Sequence, residues 1–337
     1  MEVLQKEIKN GSLHVTLRAL PAEYRMEAGE AVENAISRLF GRFLAEEGLR
    51  AVGRPRVTEA ACPADGSLRF TVEAELYPEV KLGQYKGIRV KARREENEAA
   101  FMKEVLEKAC ANMEAEVTQT LIDQRLAAMI AGEHLNVDQD SIYYLLADVV
   151  EILGEVYQMA GCRRPAAQVE AEALDILLQA VSADNQGPEI EYLKDQMYQM
   201  AARYSQLPED FPELIDSAFA RRKKKKGRMS PAERSDEAFH AYLRTIGMDE
   251  EQLKRERRPA AAAAARCDLL FEAVAQAEGL TVYQDEMDEV LARLADKYHL
   301  SVEEVTEAVD TEPMRMKLLR DRACRLILDS AVGGADG

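Results

Sequence analysis

From residue 96 almost to its C-terminus, this chain places its apolar residues three and four apart, and that period constrains its fold more than any other feature. Residues at that spacing line one face of an α-helix. Leu253, Ala261, Ala265, Leu269 and Val274 form one such stripe, and Val290, Leu291, Leu294 and Tyr298 form another. Helix starts and stops are marked by Asp249 with Gln252 three residues on, by Gly279, and by the Ser301–Glu304 capping box. Further helical patterns cover 97–113 and 116–134. The spacing therefore predicts short amphipathic helices, which offer grooves and apolar faces. Such surfaces suit the binding of other chains better than chemistry.

Residues 137–228 have their own character. Three runs carry helical periodicity: Ile142, Leu145, Leu146, Val149, Leu153, Val156; then Val169, Ala173, Leu174, Leu177, Val181; then Ile190, Leu193, Met197, Met200, Tyr204. The breaks at Gly161–Pro165 and Asp184–Pro188 are short, which predicts antiparallel neighbours closing a small bundle. Self-packing of these stripes is the plain reading, and a ligand groove is the sharper one. A shorter fourth helix is expected around Phe211–Phe219, after the prolines at 208 and 212. The text RRKKKKGRMSP that follows reads as an exposed hinge.

Residues 1–95 differ. Strand-like alternation appears at 13–20, 54–62 and 67–82, where Phe70, Val72, Ala74 and Leu76 share one face. A helix near 29–48 carries the stripe Ala31, Val32, Ala35, Ile36, Leu39, Phe40 and Phe43 and closes at Gly48. GQYKGIRVKA at 83–92 reads as a turn and a short exit strand. The expected fold class is α+β but mostly α. A small N-terminal α+β head at 1–95 precedes an elongated helical domain with arm-like helices at 96–136 plus 229–333, and the 137–228 bundle is inserted in it.

Composition narrows the function classes. The chain has 337 residues, a net charge of −17 and a pI near 4.9, so its surface as a whole repels nucleic acid, and no DNA partner is expected. No apolar run reaches membrane-spanning length and the start, MEVLQKEIKNG, is polar, so neither a membrane partner nor a secretory signal is expected. Five scattered cysteines without redox or zinc spacing predict reduced, mostly buried thiols and a cytoplasmic location. Met reaches 13 while Trp is absent; Met fills gaps between helices and also suits adaptable binding surfaces.

Candidate chemistry is sparse. His14, His134, His240 and His299 stand apart from one another and from any zinc-like carboxylate arrangement. There is no nucleophile elbow, phosphate loop or dinucleotide fingerprint. No catalytic, cofactor-binding or metal-binding residue is therefore assigned, and the chain is expected not to be an enzyme. The sharpest local anomaly is the six-cation run Arg221, Arg222, Lys223, Lys224, Lys225 and Lys226. It is a candidate ribosome or RNA contact through phosphates. It also fits a solvated loop tip or a basic helix end favoured by the helix dipole. No aromatic residue interleaves it, so base stacking is unsupported.

Two segments carry a resemblance. FTVEAELYPEVKLGQYKGIRVKA at 70–92, preceded by LAEEGLRAVGRPRVTE at 44–59, is similar to the end of the N-terminal domain of trigger factor, the bacterial ribosome-associated chaperone. LIDQRLAAMI at 121–130 resembles the start of an arm of that family's helical domain. YLRTIGMDEEQLKRERRPAAAAAA, AVAQAEGL and VYQDEMDEVLARLADKYHLSVEEV resemble the rest of that domain. The resemblance covers about 1–135 and 229–333, and implies an ATP-independent holdase for unfolded or nascent polypeptides, with no cofactor. Three departures stand out. The family's Gly-Phe-Arg-x-Gly-Lys ribosome-docking loop has no match, since Phe40-Gly41-Arg42-Phe43 lies inside the helical stripe. The isomerase domain expected after Lys91 is missing, and 137–228 is extra. The alternative is a partner-specific scaffold that uses the 137–228 bundle.

Overall fold

The computed structural model describes residues 1–24, 32–138, 141–183, 190–203 and 210–334. Two compact units emerge, one made of 1–125 and 259–337 and the other of 126–258.

The first unit contains a four-stranded antiparallel sheet, β1 (Glu2–Lys9), β2 (Ser12–Ala19), β3 (Ala51–Ala61) and β4 (Leu68–Leu76), in the order β1-β2-β4-β3. Strand alternation decides its layering. Leu13, Val15, Leu17 and Ala19 sit opposite Ala74, Val72, Phe70 and Leu68, and this face is sealed. The helix α1 (Val32–Glu46) packs there through Ile36, Leu39, Phe40 and Phe43. Phe40 and Phe43 are thus core residues of the head, as the stripe implied. The opposite face is polar, and there the hydroxyls of Thr16 and Thr71 share a 3.0 Å hydrogen bond.

Strand β1 has no counterpart among the predicted strands. All of its residues are exposed, so no one-sided apolar pattern announces it. Its signal is Asn10-Gly11, the dipeptide favoured in tight hairpins, with φ of 50° and 74°. The strand expected at 83–92 is also different. That segment forms no strand; within it Arg89 makes an isolated bridge to Val332, and just before it Lys81 makes one to Glu114. It is held by burial of Ile88 and Val90 and by Gly83, where an added Cβ would lie 2.1 Å from the carbonyl oxygen of Asn112.

The remaining elements are helical: α2 (Glu98–Asn112), α3 (Gln119–Asp138), α4 (Ser141–Met159), α5 (Ala166–Ala183), α6 (Ile190–Arg203), α7 (Phe211–Lys226), α8 (Pro231–Thr245), α9 (Glu250–Ala277), α10 (Gln284–Tyr298), α11 (Val302–Ala308) and α12 (Glu312–Ser330). The capping signals operate as written. Asp249 and Gln252 bond each other's backbone N–H groups, and so do Ser301 and Glu304. Helix α9 is longer than the short helices expected, running 28 residues through Pro259. Its Ala265, Leu269, Leu270 and Val274 pack with Phe101 and Val105 of α2 and with Ala323 and Ile327 of α12. The Arg266 guanidinium donates to the carbonyls of Cys110 and Met113, satisfying the open C-terminal end of α2.

In the second unit, α4 is the hub for α5, α7 and α8. Leu146, Val149, Leu153 and Val156 of the first predicted stripe meet Val169, Ala173 and Leu177 of the second and Leu193 and Met197 of the third. Ile215 of α7 and Ala241 of α8 complete this core. These described members of the stripes are therefore consumed in self-packing, while the side chains of Val181, Ile190 and Met200 lie outside the described residues. The Asp184–Pro188 break, Ala31, Pro208 and Tyr204 lie outside the described residues. Helix α7 does not stop near Phe219 but continues to Lys226 and ends at Gly227, whose N–H donates to Lys223 O. The basic run is the last part of a helix rather than a hinge, because Arg and Lys are good helix formers and cations favour the C-terminal turn.

Gly83→Ala is expected to lower the stability of the first unit by about 1–3 kcal/mol, because the carbonyl facing it belongs to a helix end that must move. Gly41→Ala, in open space on α1, is expected to be neutral or stabilising by up to about 1 kcal/mol. Urea midpoints of the two variants check this pair.

Candidate interaction surfaces

Helix α7 carries the six cations of the basic run, and the fold distributes them unequally. Arg222 points inward and its side chain is 4% exposed, while Asp148 of α4 is 1% exposed. Arg222 Nε donates to Asp148 Oδ1 at 2.8 Å, and its two terminal nitrogens reach Glu151 of α4 and Glu237 of α8. Lys226 Nζ donates to Asp148 Oδ2 at 2.6 Å, Lys225 to Glu151 at 2.9 Å, and Arg221 to Glu155 at 2.8 Å. Lys223 and Lys224 are exposed and pair with no described residue. Four of the six cations thus join α7 to the helices beside it, and two face outward. Sequence alone missed the acceptors because Asp148, Glu151, Glu155 and Glu237 look like ordinary solvated carboxylates of an acidic chain.

The electrostatics follow from this lattice. Burial works against the charge on Arg222, but hydrogen bonds from it to Glu237 and Asp148 outweigh that and raise its pKa. Burial likewise opposes the charge on Glu237, and Arg222 and Lys225 overcome it and hold the carboxyl below its ordinary value.

Other candidate surfaces are concave or apolar. In the second unit, a cavity of 690 Å³ is lined by Val150, Tyr157, Cys162, Arg164 and Val169 among others. The Arg164 guanidinium lies 5.3 Å from the Tyr157 ring centre, and the Tyr157 hydroxyl donates to Glu172 at 2.5 Å. In the first unit, a cavity of 610 Å³ opens between the Tyr77–Leu82 segment and α9. There Arg50 stacks 4.2 Å from the Tyr77 ring and pairs with Glu272 at 2.9 Å; Arg320 closes on the same carboxylate. Exposed apolar side chains include Leu135 on α3 (61% exposed), Tyr283 at the start of α10 (65%), Leu300 between α10 and α11, and Val302 at the start of α11.

The histidines are placed singly. His134 stacks on Phe239 with ring centres 4.5 Å apart, and its two nitrogens meet Ser235 and Asp236. Among the described residues no three His, Cys, Asp or Glu side chains gather as a metal site, and no helix is long and apolar enough to cross a membrane.

Removing Arg222 strands Asp148 as a buried, partly uncompensated charge, and Arg222→Ala is expected to cost the second unit about 3–5 kcal/mol. Lys223→Ser with Lys224→Ser is expected to change stability by less than about 0.5 kcal/mol. Because the folded pKa of Glu237 is depressed, its contribution is present above the ordinary value of 4.5 and is lost as pH falls through the lower folded value. The urea midpoint of the second unit is therefore expected to fall below pH 4.5, and Glu237→Gln is expected to flatten that fall.

Comparison with known proteins places these features. The family model described as bacterial trigger factor protein matches residues 22–129, and the one described as the trigger factor C-terminus matches 212–329. The C-terminal match therefore begins at α7 and includes the basic run, and 130–211 is matched by neither. Trigger factor from Bacillus pumilus is 31% identical over 90 residues, which is 26% of this chain and 21% of that protein. Trigger factor 1 from Desulfitobacterium hafniense is 28% identical over 97 residues, 28% of this chain and 23% of that protein. The matched segments thus span under a quarter of the length of these relatives. A solved structure, from work on promiscuous substrate recognition in folding and assembly activities of the trigger factor chaperone, aligns over 98% of this chain and 99% of that one. Its identity is 12% and its TM-score 0.33, a score at which superposition carries no argument. With the two trigger factor models both matched, and in chain order, the chain belongs to the trigger factor family.

Proposed function

We propose that this chain is an ATP-independent chaperone, a holdase that takes up unfolded or nascent polypeptides in the cytoplasm. The observation that carries this reading is the ordered pair of family matches, 22–129 and 212–329. The physical means are apolar side chains left wet on helical elements. Leu135, Tyr283, Leu300 and Val302 are each at least 40% exposed, and each contributes about 1.5–3 kcal/mol when a client side chain covers it fully, before ordering costs. Such contacts are non-directional, which favours many clients over one. The net charge of −17 keeps complexes dispersed and favours clients with basic segments.

No nucleotide is needed, because covering apolar surface is spontaneous and the sequence holds no phosphate loop. Prolyl isomerisation is not part of the proposal. Association with ribosomal RNA would rest on Lys223 and Lys224, since the other four cations of the run are already engaged with carboxylates.

Light scattering from a chemically denatured, aggregation-prone test protein checks the holdase reading. An equimolar amount of the chain is expected to suppress aggregation without ATP, and unchanged aggregation contradicts the reading. Leu135→Glu combined with Tyr283→Glu is expected to weaken suppression several-fold while leaving the urea midpoint unchanged. Capture of one dominant partner from lysate, in place of many unrelated chains, would favour a dedicated scaffold instead.

A further inference from the structure

Two thiols that lie far apart in sequence meet inside the first unit. Cys110, near the end of α2, and Cys267, on α9, are separated by 157 positions, and their sulfurs are 3.2 Å apart. Both are free, Cys110 is 7% exposed, and Cys267 is half-buried. The two sulfurs sit within one apolar cluster, where α2 and α9 are pinned at this point by Arg266, the neighbour of Cys267, which donates to the carbonyl of Cys110 itself. A disulfide has its sulfurs about 2.05 Å apart, so small side-chain rotations close the remaining gap without separating the helices.

We propose that Cys110 and Cys267 form a reversible redox modification site, joined to a disulfide by peroxide. The thiols are not equivalent. The hydrogen bond between the two thiols lowers the pKa of Cys267, and the charges of Arg125 and Arg266 add to this against burial and Asp268. The same hydrogen bond, with burial, pushes Cys110 up. Cys267 is the more exposed of the two and adjoins the Arg266 guanidinium, so a small oxidant reaches it first and it is the first nucleophile. Its thiolate attacks one oxygen of hydrogen peroxide, the O–O bond breaks, and hydroxide leaves and is protonated to water, giving a sulfenic acid at Cys267. The Cys110 sulfur then attacks the Cys267 sulfur. The S–S bond forms, the S–O bond breaks, and the departing hydroxide takes the Cys110 proton as a second water. Two thiols are oxidised and one peroxide is reduced.

The consequence is topological. The loop closed by this bond contains the whole of 126–258. The bond would tie α2 to α9 within the first unit and constrain the unfolded chain, which stabilises the apolar cluster around Phe101 and Val274. Cys324 belongs to the same cluster and is the internal competitor, but burial raises its thiol pKa and makes it the poorer nucleophile.

The test uses the full chain carrying Cys62→Ser, which removes the exposed thiol. It is treated with a small excess of hydrogen peroxide, alkylated with N-ethylmaleimide in denaturant and mapped by mass spectrometry. The expected result is loss of two alkylatable thiols, a peptide pair joined through Cys110 and Cys267, reversal by dithiothreitol, and a rise of several degrees in the thermal midpoint of the first unit. Adding Cys110→Ser is expected to leave Cys267 as a dimedone-reactive sulfenic acid, and adding Cys324→Ser is expected to change nothing. Retention of every thiol, or a cross-link that maps to Cys267 and Cys324 or joins two molecules, overturns the proposal. Absence of the dimedone adduct in the Cys110→Ser protein overturns the assignment of Cys267 as the first thiol.

Discussion

A guanidinium withdrawn from water must be paid for by carboxylates, and the second unit is arranged around that requirement. Arg222 and Asp148 are almost fully buried, and neither charge is tolerable there alone. Each is answered by more than one partner: Arg222 by Asp148, Glu151 and Glu237, and Asp148 by Arg222 and Lys226. These groups come from α4, α7 and α8, so the ion lattice sets where α7 lies beside the other two, while the Leu, Val and Ile stripes supply the non-directional attraction. The run has the helix propensity and the C-terminal position that suit cations, and carboxylates on the neighbouring helices offset the mutual repulsion at Arg221, Arg222, Lys225 and Lys226.

The first unit is organised by a different constraint, the need to satisfy backbone groups where the chain leaves regular structure. After β4 the segment from Tyr77 to Ala92 has no strand partner along its length. It is fixed instead by single bridges at Lys81 and Arg89, by the close approach that only a glycine permits at position 83, and by the Tyr85 hydroxyl donating to Glu278. The Arg266 fork on the end of α2 solves the same kind of problem. These contacts hold α2, α9 and the Tyr77–Leu82 segment in one body, and they bring Cys110 and Cys267 together as a by-product.

Much of this could be read from the sequence, and the unread parts share a physical cause. Period-two alternation gave β2 and β4, since one face of each is sealed, and period 3.6 gave α1, α4 and α5. Capping pairs such as Ser301 with Glu304 fixed helix starts because they act locally. Strand β1 escaped because an edge strand with both faces wet needs no alternation, although its Asn-Gly turn was in plain view. Of the plain readings of the basic run, the basic helix end is the one found and the hinge is not; what the sequence hides is the set of neutralising partners, since Asp148, Glu151 and Glu237 lie 74, 71 and 15 positions away. The thiol pair escaped for the same reason: spacing reveals local motifs, and 157 positions is not a motif. The family resemblance was legible at both ends because it rests on contiguous text, and the C-terminal match adds α7 to what that text suggested.

The structural role of the basic run is the claim on which the second unit stands, and amide hydrogen exchange tests it residue by residue. If Arg222 is buried against Asp148 and α7 extends to Lys226, the amides of Arg222–Lys226 should be protected well above random-coil rates at neutral pH, and Asp148→Asn should reduce that protection more than it reduces protection in α5. Exchange of those five amides at random-coil rates in the unmodified protein would contradict the lattice and restore the run to an open, solvated segment.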